Sequence, residues 1–211
     1  MSNYSLEAFN LNKTFGRRLI FNDINFHLEN PGIYGISGPN GSGKSTLVKI
    51  IAGLLSPSKG KIIHKNSDGE IIAEKLHNHI GFASPYLVLY EEFTAWENLE
   101  YFSRIRGLQL HSNSAKELLK RFLLHKRKND LVKTYSSGMK QRMKFIFSLI
   151  HNPDLLIFDE PTSNLDEEGK NSVYDIINET GREKIVIIAS NEKTDLDLCS
   201  EIIDLKKYKE I

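Results

Sequence analysis

Residues 38–46 read GPNGSGKST, a glycine-rich run closed by a lysine and two hydroxyls. The run fits the spacing G-x-x-x-x-G-K-[ST] at every fixed position. Gly38, Gly41 and Gly43 let the backbone turn tightly, so successive N–H groups converge on one anion, with Pro39, Asn40 and Ser42 at the variable positions. Lys44 would reach the β- and γ-phosphates as a point charge, and Ser45 would give its hydroxyl to Mg²⁺. Thr46 extends the phosphate shell at the helix start. A second signal is LLIFDEP at 155–161, where four apolar residues lead to two carboxylates. Ligands of open α/β sheets bind at the C-terminal ends of strands. There Asp159 can hold Mg²⁺, directly or through water, and Glu160 can polarise an attacking water as general base. The pair of signals points to a nucleoside triphosphate.

A third stretch, YSSGMKQRMKFIFSLI at 135–150, reads as a loop opening into a helix. Ser136 suits an N-cap, and a helix start offers unpaired N–H groups and partial positive charge, which favour an anion. Alone it would be read as an ordinary capped core helix. Beside the cradle at 38–46 it is a second anion-binding turn that needs a phosphate of its own.

The elements that must position these groups follow from periodicity. LEAFNLNKTF and LIFNDINFHL alternate apolar and polar residues, as half-buried strands do. GIYGIS is a short strand running into the cradle, and TLVKIIAGLL reads as the helix after it; GKIIH, GEIIA and HIGFAS read as further short strands. Helical periodicity follows over 94–106, 114–124 and 139–150, which predicts a helical lobe, 85–151, inserted into an α/β body made of 1–84 and 152–211. DLLIFDE and KIVIIAS are continuous apolar runs typical of parallel strands buried on both faces, with a helix between them over 167–180. The expected fold is a single layered α/β domain with a mainly parallel core sheet.

The 211 residues carry 28 basic and 27 acidic side chains, a balance that gives no support to nucleic-acid binding by charge. The run HKRK at 125–128 reads as a solvated face. Cys199 is the one cysteine, so no internal disulfide forms and a reducing compartment fits. NKT at 12–14 matches a glycosylation acceptor, but no secretory signal precedes it. No apolar run approaches the ~20 residues that span a bilayer. Any membrane role would need another polypeptide.

The order of these motifs resembles the ABC ATPases. YSSGMKQR is similar to that family's signature motif, SNLD at 163–166 to its D-loop, and Phe15 before Gly16 to its adenine-stacking aromatic. The resemblance covers essentially the whole chain. It implies the P-loop ABC-ATPase fold, with an N-terminal antiparallel β subdomain and the helical subdomain inserted, and it implies ATP and Mg²⁺ as ligands. It also answers whose phosphate the second turn holds. In the family the signature helix faces the γ-phosphate bound by a second subunit, so two ATP molecules are sandwiched head to tail between two such domains. Ser136 would hydrogen-bond that phosphate, Ser137 would keep its N–H there, and Gly138 would let the backbone approach.

Three departures stand out. Ser137 replaces a family glycine. Pro85, with Tyr86 next, stands where the family has a glutamine contacting Mg²⁺ and the attacking water. Asn191 replaces a histidine that touches the γ-phosphate; it can donate a hydrogen bond but cannot titrate near neutral pH. ATP binding and dimer closure are therefore expected to be intact, with slow hydrolysis. YLVLYEEFTAWENLEYFSRIRG resembles the segment that receives a membrane-subunit helix in heme-exporter and drug-efflux systems. Tyr86, Leu87 and Tyr90 either line that groove or pack in the lobe. The implied role is the ATP-binding subunit of a transporter, peripheral on the cytoplasmic membrane face through integral membrane partners. A homodimer and a heterodimer both fit, and a non-transport ABC ATPase or an ATP-sensing module is the alternative.

Overall fold

A computed structural model describes residues 4–209. Two antiparallel strands open the chain, β1 (Ser5–Phe15) and β2 (Arg18–Leu28). Then come β3 (Gly32–Ser37), α1 (Lys44–Ile51), β4 (Lys59–Asn66), β5 (Gly69–Glu70), α2 (Ala73–His79) and β6 (Ile80–Ala83). Three helices follow, α3 (Ala95–Ile105), α4 (Ser112–Arg121) and α5 (Ser137–Leu149). The chain returns through β7 (Leu155–Asp159), α6 (Glu167–Gly181), β8 (Ile185–Ser190), α7 (Lys193–Leu196) and β9 (Glu201–Asp204).

The strands form two sheets. An antiparallel sheet runs β2-β1-β4-β5, and a parallel sheet runs β6-β7-β8-β3-β9. Every residue of β7 and β8 is buried, because both faces of the parallel sheet are covered. Alternation decides which face each residue serves. Leu155, Ile157, Ile185 and Ile187 pack with α1 and with Leu6, Leu11, Phe21 and Ile24 of the antiparallel sheet. Leu156, Phe158, Val186 and Ile188 pack on the other side with α5, α6 and the rest of the helical lobe. The lobe is joined to the sheet through rings: Phe122 stacks on Phe145 at 5.7 Å, and Phe145 meets Phe158 at 5.1 Å. A capping box of Thr94 and Glu97 starts α3, and α3, α4 and α5 all fall within 85–151.

Three elements differ from the sequence expectation. The helix after the cradle stops at Ile51, where Gly53 takes a positive φ of 72° and turns the chain out. GEIIA is not a strand beyond Gly69–Glu70; Ile72 is 55% exposed with no sheet neighbour, and α2 starts at Ala73. β9 is an edge strand paired to β3 that no pattern announced.

Candidate functional site

The cradle hangs between the end of β3 and the start of α1, and β7 ends two strands away with β8 between them. This places residues far apart in sequence within bonding distance. Lys44 Nζ donates to the Gly38 carbonyl at 3.0 Å, which braces the loop, and lies 3.4 Å from Glu160 Oε1. Ser45 Oγ donates to Asp159 Oδ1 at 3.2 Å. Asp159 is 1% exposed, and its Oδ2 is buried without a hydrogen-bond partner. A buried carboxylate oxygen left unpaired beside a hydroxyl oxygen is the hard, oxygen-only donor set that suits Mg²⁺.

Burial pushes the Asp159 carboxyl above its ordinary range, with Ser45, Lys44 and Lys49 pulling the other way. Burial also raises Glu160, opposed by Lys44 and reinforced by Asp159 and Asp195. Glu160 further adopts a left-handed backbone with φ of 52°, held by its N–H donating to Ala189 O at 2.8 Å. That conformation is strained for a residue with a side chain, and such strain gathers at functional sites.

These groups face one cavity of about 710 Å³, lined by Phe15, Asn40, Gly41, Ser42, Gly43, Lys44, Ser45, Thr46, Asp159, Glu160 and Asn191. The volume suits a nucleotide-sized ligand. Phe15 is half exposed, and Lys13 Nζ covers its ring at 4.8 Å from the centroid. Pro85 and Tyr86 also line the cavity. The Pro85 carbonyl accepts from Lys144 Nζ on α5, and the Tyr86 ring lies 5.2 Å from Lys49 Nζ on α1. Gly38 and Pro39 form the stem of the loop and do not line the cavity. Arg18 and Glu192 do line it and were not singled out from sequence. Arg18 had one available signal, its place just across the hairpin from Phe15.

Ser136, Ser137 and Gly138 lie away from this cavity. Ser136 is exposed and caps α5, its Oγ accepting from the Met139 N–H at 3.2 Å. A Cβ on Gly138 would come within 3.0 Å of Asn164 O, so the loop at 163–166 packs directly against the signature turn. The exposed start of α5 thus stands apart from the cavity, and among the described residues its one side-chain cap is Ser136.

The ABC transporter family pattern matches residues 21–163. The chain belongs to this family. The linearmycin resistance ATP-binding protein LnrL of Bacillus subtilis (strain 168) is 35% identical over 207 residues, covering 93% of this chain and 65% of LnrL. A putative ABC transporter ATP-binding protein from Pyrococcus furiosus superposes with a TM-score of 0.83 at 26% identity, over 98% of this chain and 100% of that one. A dimeric ATP-binding cassette, MJ0796, solved in a post-hydrolysis state with ADP and Pi, shares the fold with a TM-score of 0.81 at 24% identity, over 94% of this chain and 93% of that one. The ABC fold accounts for the two-sheet body and the inserted helices. No helix among the described residues is long and apolar enough to cross a membrane.

Proposed function

We propose that this chain is the ATP-binding and ATP-hydrolysing subunit of a membrane transporter, working as a head-to-tail dimer. The observation that carries the reading is the division of anion-binding groups. Lys44, Ser45, Asp159, Glu160 and Asn191 converge on one cavity, whereas Ser136, Ser137 and Gly138 point elsewhere. A second copy, or a related subunit, would bring its own signature turn to the first copy's cavity. MJ0796, which shares the fold, is dimeric in its ADP- and Pi-bound state, and that supports an assembly of two copies.

In this reading Phe15 stacks on the adenine. The N–H groups of 38–46 and Lys44 hold the phosphates, and Ser45 and Asp159 hold Mg²⁺, which would neutralise charge on the terminal phosphates. Glu160 accepts a proton from water as its oxygen bonds to the γ-phosphorus. The bond to the bridging oxygen of ADP breaks, and ADP and inorganic phosphate leave. Asn191 donates to a γ-phosphate oxygen. Pro85 has no N–H and no amide side chain to orient the water, and its carbonyl is already taken by Lys144. Turnover is therefore slow without help.

The exposed rings of Tyr86, Tyr90, Phe93 and Tyr101, with Val88, support contact with membrane subunits on the cytoplasmic face. Tyr90, Phe93 and Tyr101 form one ring cluster with centroids 5.3 to 5.8 Å apart, while Leu87 packs on the lobe core. The departures at Pro85 and Asn191 favour a second reading, an ATP sensor that binds without turnover. Phosphate release measured with and without a co-purified membrane partner separates them. A transporter subunit is stimulated by the partner, and Tyr90→Ser loses that stimulation while keeping its basal rate. A sensor binds ATP and releases no phosphate in either sample.

A further inference from the structure

Asp195 on α7 has 0% exposed surface, and both of its carboxylate oxygens are engaged. Oδ1 accepts from Thr162 Oγ1 at 3.0 Å and from the Tyr174 hydroxyl at 2.8 Å. Oδ2 accepts from Ser190 Oγ at 2.6 Å and from Thr162 Oγ1 at 3.2 Å. Three hydroxyl donors around an acceptor-only group form a satisfied buried network.

The donors come from three different elements. Thr162 lies two residues beyond Glu160, Ser190 ends β8 immediately before Asn191, and Tyr174 sits on α6. α6 is entered from the loop at 163–166 through its N-cap Asp166. Ser190 Oγ also accepts from the Glu192 N–H at 3.1 Å, which fixes the first turn after Asn191. One buried anion thus ties together the chain exits that carry Glu160, Asn191 and the loop against Gly138. Apolar side chains would fill this space at less desolvation cost, so stability alone is a weak reason for a charge here. What the carboxylate adds is a fixed separation between three segments.

We propose that Asp195 is the positioning residue of the hydrolytic half of the site. It holds the Glu160 segment and Asn191 in register over the cradle while leaving the phosphate-binding loop untouched. The proposal rests on the hydrolytic reading above. Its signature is a fall in kcat without loss of nucleotide affinity.

The test compares Asp195→Asn, Thr162→Val and Thr162→Ser with the wild-type full chain, reading phosphate release, affinity for a fluorescent ATP analogue and the unfolding midpoint. We expect Asp195→Asn to lower kcat by about 10–100-fold, as for misplaced catalytic groups, with analogue affinity kept. Thr162→Val follows in the same direction from the loss of one hydroxyl, and Thr162→Ser keeps the wild-type rate. Wild-type kcat in Asp195→Asn, or affinity and rate falling in step, overturns the proposal. If the wild type releases no phosphate, the hydrolytic reading fails separately. Asp195 is then decided by ATP-dependent dimerisation of Glu160→Gln: adding Asp195→Asn weakens that dimer if the positioning claim holds, and an unchanged dimer refutes it.

Discussion

Gly41 and Gly43 stand two residues apart in the cradle, yet the structure assigns them different consequences on gaining a methyl group. Both have positive φ, 74° at Gly41 and 109° at Gly43. An L-residue in left-handed backbone costs about 1–2 kcal/mol, partly offset by the ~0.4–1 kcal/mol that alanine contributes by stiffening the unfolded chain. Nothing lies within 4 Å of a Cβ built on Gly41. Gly41→Ala should therefore lose only about 1 kcal/mol. A Cβ on Gly43 would fall 2.6 Å from Ile20 Cγ2 and 3.3 Å from Phe21 Cδ1, two side chains of the buried core. Overpacking of that kind adds about 1–3 kcal/mol, so Gly43→Ala should lose roughly 2–4 kcal/mol. For a chain of this size 1 kcal/mol moves the midpoint by about 2–4 °C. Thermal or urea unfolding of the nucleotide-free protein should then separate the two variants by several degrees. Equal midpoints, or Gly43→Ala as stable as wild type, would show that the cradle is not wedged against β2 as described.

Three further outcomes follow from the same geometry. Glu160→Gln should cut phosphate release by about 10²–10⁴-fold and accumulate an ATP-dependent dimer in light scattering, and undiminished turnover would remove Glu160 as the base. Asp159→Asn should raise the unfolding midpoint of the nucleotide-free protein at neutral pH. The folded carboxyl is raised above its ordinary value of 3.8, so its favourable contribution is present at low pH and lost as pH rises through the folded pKa. The advantage of the variant should vanish in acid, while Mg²⁺-dependent stabilisation by ATP should be absent from it at any pH. Leu123 ends α4 in left-handed backbone at φ of 59°, with the Leu124 N–H donating to Leu119 O and the Leu123 N–H to Lys120 O. Leu123→Gly relieves that strain and should stabilise the fold by roughly 0.5–1 kcal/mol in urea titration.

The cradle, the strand-end carboxylates and the capped start of α5 were legible in the sequence because each is contiguous. Local backbone geometry, turn residues and a single helix start determine the local structure at 38–46, 155–161 and 136–138, whatever surrounds them. The buried parallel strands were legible for a related reason: a strand covered on both faces is apolar along its length and carries polar residues only at its end, as Asp159 of β7 and Ser190 of β8 show. The tertiary structure alone decided that the strand expected over 69–73 ends early, with the Ile71 N–H making the last bond to β4 at His64 O, and that α2 follows from Ala73. It alone decided that β9 closes the edge of the parallel sheet. And it alone brought Asp195 to Thr162, Ser190 and Tyr174. Hydrogen bonds between side chains 33, 5 and 21 residues apart leave no period or spacing in a sequence, because they depend on where three separate chain exits meet in space.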